Sequence, residues 1–330
     1  MITALDVAEA AGVSKTTVSY VFSADKAKLI SEKTRNRVME TAARLGYQPS
    51  YLGRSLSANR TFNIALVLPS RCGKNMSQHM LNIFHAIIKS SENSEYNLSI
   101  FLGGDKRLET SLHSRRIDGV IVVGLGSSTA LLDHIASFKL PLVVVNRYYP
   151  VSPLVSCVRA NLTEWVLNEI DFMQQSACRN IMVFNKSAQS DSGREITAAV
   201  QPKIKDNQTP CRIELATMGK NLREQFLAAL QAPLKYDAFI INGNEGALLL
   251  QLAEELNIAL DSFIVSNFYR VSGSRFTRLW HRNGYGMGGE AWKLLMKLLN
   301  GGQGECSILP VEQYSTVNDS NSDSEGGFDV

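Results

Sequence analysis

No stretch of this 330-residue chain holds the ~20 consecutive apolar residues that cross a bilayer; the strongly apolar runs, such as 119–123, are far shorter. The amino terminus has an acid at Asp6 and no apolar core behind a basic start, so it does not read as a signal peptide. Cysteine is scarce. Cys72, Cys157, Cys178, Cys211 and Cys306 are widely scattered, without a Cys-x-x-Cys pair, which argues against a disulfide framework and a zinc site and suits a reducing cytoplasm. His79, His85, His113, His134 and His281 have no metal-ligand spacing.

Catalytic motifs are missing too. No serine or cysteine has a base beside it in a motif, and no general acid–base pair can be named. Gly124-Leu125-Gly126-Ser127-Ser128-Thr129 follows a predicted strand and opens a predicted helix, a place where backbone N–H groups approach a phosphate. The third glycine of a dinucleotide fingerprint is absent, and there is no Gly-Lys-Ser/Thr. The sequence therefore assigns no catalytic residue, cofactor or metal, and a nucleotide- or sugar-dependent enzyme is the weakest reading.

What is present is an ordinary soluble balance, 45% hydrophobic and 20% charged, over a length that fits two or three domains. The net charge of +3 is uneven. Residues 1–60 hold nine Lys/Arg and five Asp/Glu, so the remainder of the chain totals −1. A basic excess on one short segment is what binding to a phosphate backbone uses.

That segment opens with two short helices. Val7, Ala8 and Ala11 give the first an apolar face, Gly12 sits at a turn, Val13 plugs the corner, and Ser14 is placed to cap the second. Helical spacing puts Val18, Val21 and Phe22 on one side of the second helix. Thr16, Ser19, Tyr20 and Ser23 fall on the other, with Lys15 at its start. A packing face backed by small donors, a cation and a phenol suits a helix entering a DNA major groove; a ligand-free helical hairpin is the bland alternative. A third helix runs from Ser31 to about Leu45 and stops at Gly46. Beyond it, Pro49 suits the first position of a short helix over 49–57. Being so short, that helix is expected to be ordered only with a partner.

Asp6-Val7-Ala8, Ala11-Gly12-Val13-Ser14, Thr17-Val18-Ser19, Thr34-Arg35, Leu45-Gly46-Tyr47, Pro49 and Arg54-Ser55-Leu56 together resemble the lactose-repressor/galactose-repressor family of bacterial transcription regulators. The resemblance implies a homodimer on double-stranded operator DNA. It places Ser14, Lys15, Thr16, Thr17, Ser19, Tyr20 and Tyr47 of the headpiece and Arg54, Leu56, Ser57 and Ala58 of the hinge on the duplex. Leu56 would be the minor-groove wedge, a type of side chain that kinks DNA by roughly 20–90°. Tyr20 departs from the arginine or histidine common in the family, and tyrosine cannot make arginine's bidentate contact to guanine.

From residue 62 short apolar runs alternate with amphipathic stretches. Strands are predicted at 62–68, 96–101, 119–123, 142–146, 180–184, 212–215, 238–241 and 263–267. Helices are predicted at 77–91, 108–116, 129–138, 161–175, 194–205, 222–230, 246–256 and 288–299. The alternation implies parallel sheets covered on both faces. The number of units implies two similar lobes, one following the other along the chain, with a cleft between them. Ligands of such sheets sit beyond the carboxyl ends of the strands, which points to 69–71, 124–126, 146–147, 185–186, 242–245 and 266–267. The fold class expected is an all-α helix-turn-helix headpiece followed by a doubly wound α/β two-lobed domain of periplasmic-binding-protein type. The expected boundaries are 1–46 for the headpiece, 47–61 for the hinge, 62–314 for the effector-binding and dimerisation domain, and 315–330 for a disordered acidic tail.

The resemblance implies that this domain senses a sugar or sugar phosphate through Ser70, Arg71, Gly124, Asn146, Arg147, Arg194, Asn244, Glu245 and Asn267. Arg194 lies near the family's clamping arginine. Asn244-Glu245 replaces the usual Asn-Asp, and Val265-Ser266-Asn267-Phe268 lacks the usual acid. Each of these residues has a plainer role open to it: Arg147 pairing with a carboxylate, Asn146 and Asn267 capping turns, Asn244 capping a helix, Arg194 in solvent. The expected function is a cytoplasmic, effector-controlled regulator of carbohydrate genes. The alternative is a DNA-binding regulator whose second domain no longer takes a ligand.

Overall fold

The computed structural model describes residues 2–23, 26–48, 51–70, 76–124, 129–206, 211–268 and 277–313, without the side chains of 51, 52, 56, 57 and 277. It parts into two compact units, Met1–Phe62 and Asn63–Val330. The predicted tail at 315–330 and the predicted effector residue Arg71 lie outside the described residues.

The first unit is helical: α1 (Ala4–Ala11), α2 (Lys15–Val21), α3 (Glu32–Leu45) and α4 (Tyr51–Ala58). Side chains next to each helix start set its boundary. Thr3 and Asp6 form a reciprocal capping box on α1, Ser14 accepts from Thr17 N–H on α2, and Ser31 from Thr34 N–H on α3. Gly12 and Gly46 end α1 and α3 at φ 62° and 65°, where a Cβ would be strained. Val7, Ala8, Ala11, Val18, Val21, Val38 and Ala42 form the buried core, with Val13, Phe22, Leu45 and Tyr47 packed against it.

Helix α4 lies where the sequence predicts a short helix over 49–57. Two contacts support it. The Arg54 guanidinium lies 4.1 Å from the Phe62 ring, and Arg60 N–H donates to Ser55 C=O at 3.2 Å.

The second unit holds two six-stranded sheets. In chain order come β1 (Asn63–Leu68), α5 (Gln78–Ser91), β2 (Asn97–Leu102), α6 (Lys106–His113), β3 (Gly119–Val123), α7 (Ala130–Ser137), β4 (Leu142–Val145) and β5 (Val155–Ala160). There follow α8 (Leu162–Gln175), β6 (Asn180–Asn185), α9 (Asp191–Lys205), β7 (Arg212–Thr217), α10 (Leu222–Leu230), β8 (Ala238–Ile241), α11 (Gly246–Glu255), β9 (Ile264–Phe268) and β10 (Thr277–His281). Last are α12 (Gly284–Leu299), β11 (Cys306–Leu309) and β12 (Glu312–Gln313). The strand orders are β11-β5-β4-β3-β1-β2 and β12-β10-β9-β8-β6-β7, parallel except for the β10–β12 pair.

Strand alternation divides the cores. On β1, Ile64, Leu66 and Leu68 enter a large cluster shared with the second lobe, while Ala65 and Val67 face a separate cluster with Leu108, Leu132 and Ile135. On β6, Ile181 and Val183 join the shared cluster, and Met182 and Phe184 turn to Phe226 and Phe239. Both faces of these strands are covered, which is why they read as continuous apolar runs.

The lobes do not follow one another in the chain, contrary to the expectation of two sequential halves. After β10 the chain returns to the first lobe as α12 and β11 and then places β12 in the second. The return is held by α12 against α5. A Cβ built on Gly288 would lie 2.4 Å from Ile83 O and 2.7 Å from Ala86 Cβ. Gly288→Ala is expected to lose about 1–3 kcal/mol through overpacking. Gly289→Ala, at a position with nothing within 4 Å, should match or slightly exceed the wild type. Equal melting temperatures for the two variants would refute this close packing.

Candidate functional site

Two surfaces carry the predicted site residues. On the first unit, Ser14 Oγ accepts Thr17 N–H at 3.1 Å and lies 2.9 Å from the Thr17 hydroxyl. This cap frees the outer face of α2, where Lys15, Thr16 and Ser19 are exposed. Tyr20 is half-buried, with Lys26 Nζ 5.3 Å from its ring. Tyr47 also has a structural role: its ring packs edge-on against Phe22 at 5.6 Å, and burial pushes its phenol pKa up. Arg54 stacks on Phe62, Ala58 is exposed, and Leu56 and Ser57 lie on α4.

The second surface is a cleft of about 450 Å³ between the lobes. It brings together four of the predicted residues, Gly124, Asn146, Arg147 and Arg194, each at or near an end of β3, β4 or α9. Both β-strand exits are left-handed, at φ 53° for Gly124 and 60° for Asn146. Lys186, at the predicted strand end 185–186, also lines it, and the cleft adds residues that were not assigned from sequence: Arg159, Asp191, Glu195 and Arg282 among them.

The remaining described effector assignments, Ser70, Asn244, Glu245 and Asn267, lie outside this lining. Ser70 is exposed at the end of β1, and Asn244 is exposed before α11; neither is among the lining residues. Asn267 is fully buried, and its Oδ1 accepts Gly246 N–H at 3.3 Å, so it anchors the start of α11. Glu245 does not line the cleft, but its charge acts on Lys186.

Ion pairs cross between the lobes. Arg147 beyond β4 is 6% exposed and holds Asp191 of α9 at 3.0 Å. Arg159 of β5 donates to Glu195 of α9 at 2.9 Å. Glu195 also accepts the Leu162 and Thr163 N–H groups at 3.1 and 3.0 Å, which places a carboxylate at the positive end of α8. Arg194 pairs with Asp191 as well.

The inner wall is arranged differently. Arg282 Nη2 donates to Asn242 Oδ1 at 2.8 Å, Asn242 to Asn185 at 2.8 Å, and Asn185 to Gly193 C=O and the Thr197 hydroxyl at 2.9 and 3.0 Å. The Arg282 guanidinium lies 4.5 Å from the Phe268 ring. Burial, and then the Arg282 charge, lower the Lys186 pKa to about 8, against the pull of Glu245. His79 of α5 is pushed down to about 4 by burial first and by Arg282 second, and a hydrogen bond with Asn146 opposes the shift.

His79 gives a pH prediction. A base with a lowered folded pKa binds its proton more tightly when unfolded, so its contribution is complete above ~6.5 and is lost as pH falls toward about 4. The drop amounts to roughly 3 kcal/mol. His79→Gln should flatten this acid limb in thermal melts from pH 7 to 4.5; an unchanged limb would refute the assignment.

Sequence signals for the added residues were partly present. Ser190-Asp191 is a cap followed by an acid in the first turn and starts α9 three residues before the predicted 194. Arg159 lies on β5, whose Val-Ser-Cys-Val run was too mixed to read as a strand, and Arg282 follows β10, which was also missed.

The fold and the site define a class: a helix-turn-helix headpiece joined to a two-lobed α/β domain of periplasmic-binding-protein type. Residues 3–50 match the model of bacterial regulatory proteins of the lacI family. The structure superposes on the lac repressor dimer bound to operator and the anti-inducer ONPF with a TM-score of 0.66 at 17% identity, covering 95% of this chain and 98% of that one. It matches the transcriptional regulator CelR–cellobiose complex with a TM-score of 0.63 at 18% identity, covering 96% and 99%. Among curated proteins, the repressor PurR of Photobacterium profundum is 30% identical over 167 residues, 49% of this chain and 48% of its own length. The ribose operon repressor of Haemophilus influenzae is 30% identical over 154 residues, 45% and 44%. The chain spans about half the length of these curated relatives. Residues 3–50 thus match the lacI family of bacterial regulatory proteins, and the chain shares the fold of the lac repressor structures. Among the described residues, no helix is long and apolar enough to cross a membrane.

Proposed function

We propose that this chain is a sequence-specific DNA-binding transcriptional regulator, a repressor of carbohydrate genes, that works as a homodimer and is controlled by a small molecule in the interlobe cleft. The observation that carries the reading is α2: a Ser14-capped helix packed by Val18 and Val21, with Lys15, Thr16 and Ser19 left exposed inside a lacI-family segment. Exposed donors on a helix anchored from behind suit major-groove readout. In this reading Tyr47, Arg54, Leu56, Ser57 and Ala58 complete the DNA surface, and Gly124, Asn146, Arg147 and Arg194 contribute to the effector pocket.

Control follows from the interlobe pairs Arg147–Asp191 and Arg159–Glu195. A ligand that competes for these arginines changes the lobe arrangement, and it shifts DNA affinity only if it binds the two arrangements unequally. A coupling of ~1–3 kcal/mol, or 5–150-fold, is sufficient. The test is selection of duplexes from a random pool at moderate salt, followed by titration of the winner. Enrichment of a palindromic site supports the reading, and binding without preference for any site refutes it.

A further inference from the structure

We propose that Cys157 and Cys306 are a redox modification site, where a peroxide-class oxidant joins the two sulfurs in a reversible disulfide that fastens β11 to β5. The inference goes beyond the reading of the cleft and is independent of what the cleft binds.

The two cysteines stand opposite one another in the parallel register of β5 and β11. Cys157 Sγ donates to Cys306 Sγ at 2.8 Å. Hydrogen bonds on both sides hold that register. Cys157 N–H donates to Glu305 C=O at 3.0 Å, Glu305 N–H to Ser156 Oγ at 3.1 Å, and Asn161 N–H to Leu309 C=O at 2.8 Å. Neighbouring strands lie about 4.7–4.9 Å apart, inside the Cα separation of roughly 4.4–6.8 Å that a disulfide spans. The sulfurs can therefore be joined without separating the strands. The bond would also tie together two passages between the lobes, because β5 leads into α8 and β11 into β12.

The two thiols differ in access. Cys306 is exposed on the outermost strand of its sheet, and Cys157 beside it is fully buried. Burial first, and then the neighbouring Cys306, push the Cys157 thiol pKa up. Cys306 is thus the sulfur that an oxidant meets, and Cys157 the one that resolves it. Cys178 and Cys211 are a contrast. Both are buried, and their thiols contact the carbonyls of Asp237 and Arg212 at 3.8 and 3.9 Å. With no exposed sulfur, they give an oxidant no entry.

The chemistry runs in two displacements. The Cys306 thiolate attacks one oxygen of hydrogen peroxide, the O–O bond breaks, a sulfenic acid forms, and the other oxygen leaves as water after taking a proton. The Cys157 sulfur then attacks the Cys306 sulfur. The S–S bond forms, the S–O bond breaks, and hydroxide leaves as water with the Cys157 proton. The two thiols together give up two electrons, and one peroxide becomes two waters. Contact between the sulfurs makes the second step effectively unimolecular, which offsets the low thiolate fraction of a buried thiol. A disulfide with one exposed end is of the kind that thiol reductants reopen.

The experiment treats the folded full chain with hydrogen peroxide, unfolds it, and blocks the remaining thiols with N-ethylmaleimide. Peptide mapping is expected to find Cys157 linked to Cys306, with a mass lower by two hydrogens, and Cys178 and Cys211 blocked as thiols. The linked chain should run faster on a non-reducing gel, since the bond closes a large loop, and dithiothreitol should restore the original mobility. Cys306→Ser should leave Cys157 unoxidised. Cys157→Ala should leave Cys306 as a sulfenic acid that dimedone traps, which separates the attacking sulfur from the resolving one. Should that core variant fail to fold, Cys306→Ser, at an exposed position, carries the test. Four results would each overturn the proposal: both cysteines recovered as thiols, Cys306 linked instead to Cys72 or to a second chain, Cys306 driven to sulfinic acid without closure, or Cys157 oxidised in Cys306→Ser.

Discussion

Glu169→Ala is expected to destabilise the two-lobed domain by about 3–5 kcal/mol, the usual cost of stranding one partner of a buried ion pair. Glu169 on α8 is fully buried and grips Arg278 of β10 with both oxygens: Arg278 Nε donates at 3.0 and 2.9 Å and Nη2 at 2.9 Å. The guanidinium lies 3.6 Å from the Phe172 ring, so it is already packed and cannot easily move to water. For a domain of this size the loss corresponds to a fall in melting temperature of roughly 10 °C. Replacing the two together, Glu169→Leu with Arg278→Met, should recover much of it, because the stranded charge goes too. A single variant melting within a degree of the wild type would show that the pair contributes nothing.

The second large effect is expected on DNA. Leu56→Ala should weaken binding to the specific site by ~10–100-fold and leave nonspecific binding nearly unchanged. A wedge that unstacks a base step contributes only where the duplex is kinked around it. Nonspecific affinity depends on phosphate neutralisation and its counterion release, which an alanine on α4 does not touch. The slope of affinity against salt should therefore be the same for both proteins. Equal losses on specific and random duplexes would remove the wedge role and leave α4 as a structural connection.

The headpiece was legible almost residue by residue. Gly12, Ser14, Ser31 and Gly46 occupy the turn and cap positions expected of them, because a cap depends on a side chain and a backbone group three residues apart. The strands buried on both faces were equally plain: 119–123 and 238–241 match β3 and β8 without a shift. Strands β5, β10, β11 and β12 escaped. They mix polar with apolar residues and gain their place from pairing with distant partners, as Cys306 opposite Cys157 illustrates. The Arg54–Phe62 contact beside α4 was not legible, because Phe62 lies beyond the helix itself.

For the cleft the division is sharper. Gly124, Asn146, Arg147 and Arg194 could be named because ligand positions in α/β sheets follow the strand ends. Asn267 takes the plainer of the two roles its position offered, holding a helix start, and burial is what a sequence cannot show there.

Neighbouring residues alone decided most of the helices and the strands buried on both faces, where each headpiece helix begins and ends, and that one end of the chain is basic. Three-dimensional packing decided the rest: that α12 crosses back onto α5 through Gly288, that two carboxylates on α9 reach arginines from the opposite lobe, and that Lys186 meets Arg282. Caps and periodicity act over a few residues and are written in local order. A charge cluster drawn from positions 147, 159, 186, 191, 195 and 282 exists only once the chain has crossed between its lobes and brought their electrostatic fields together.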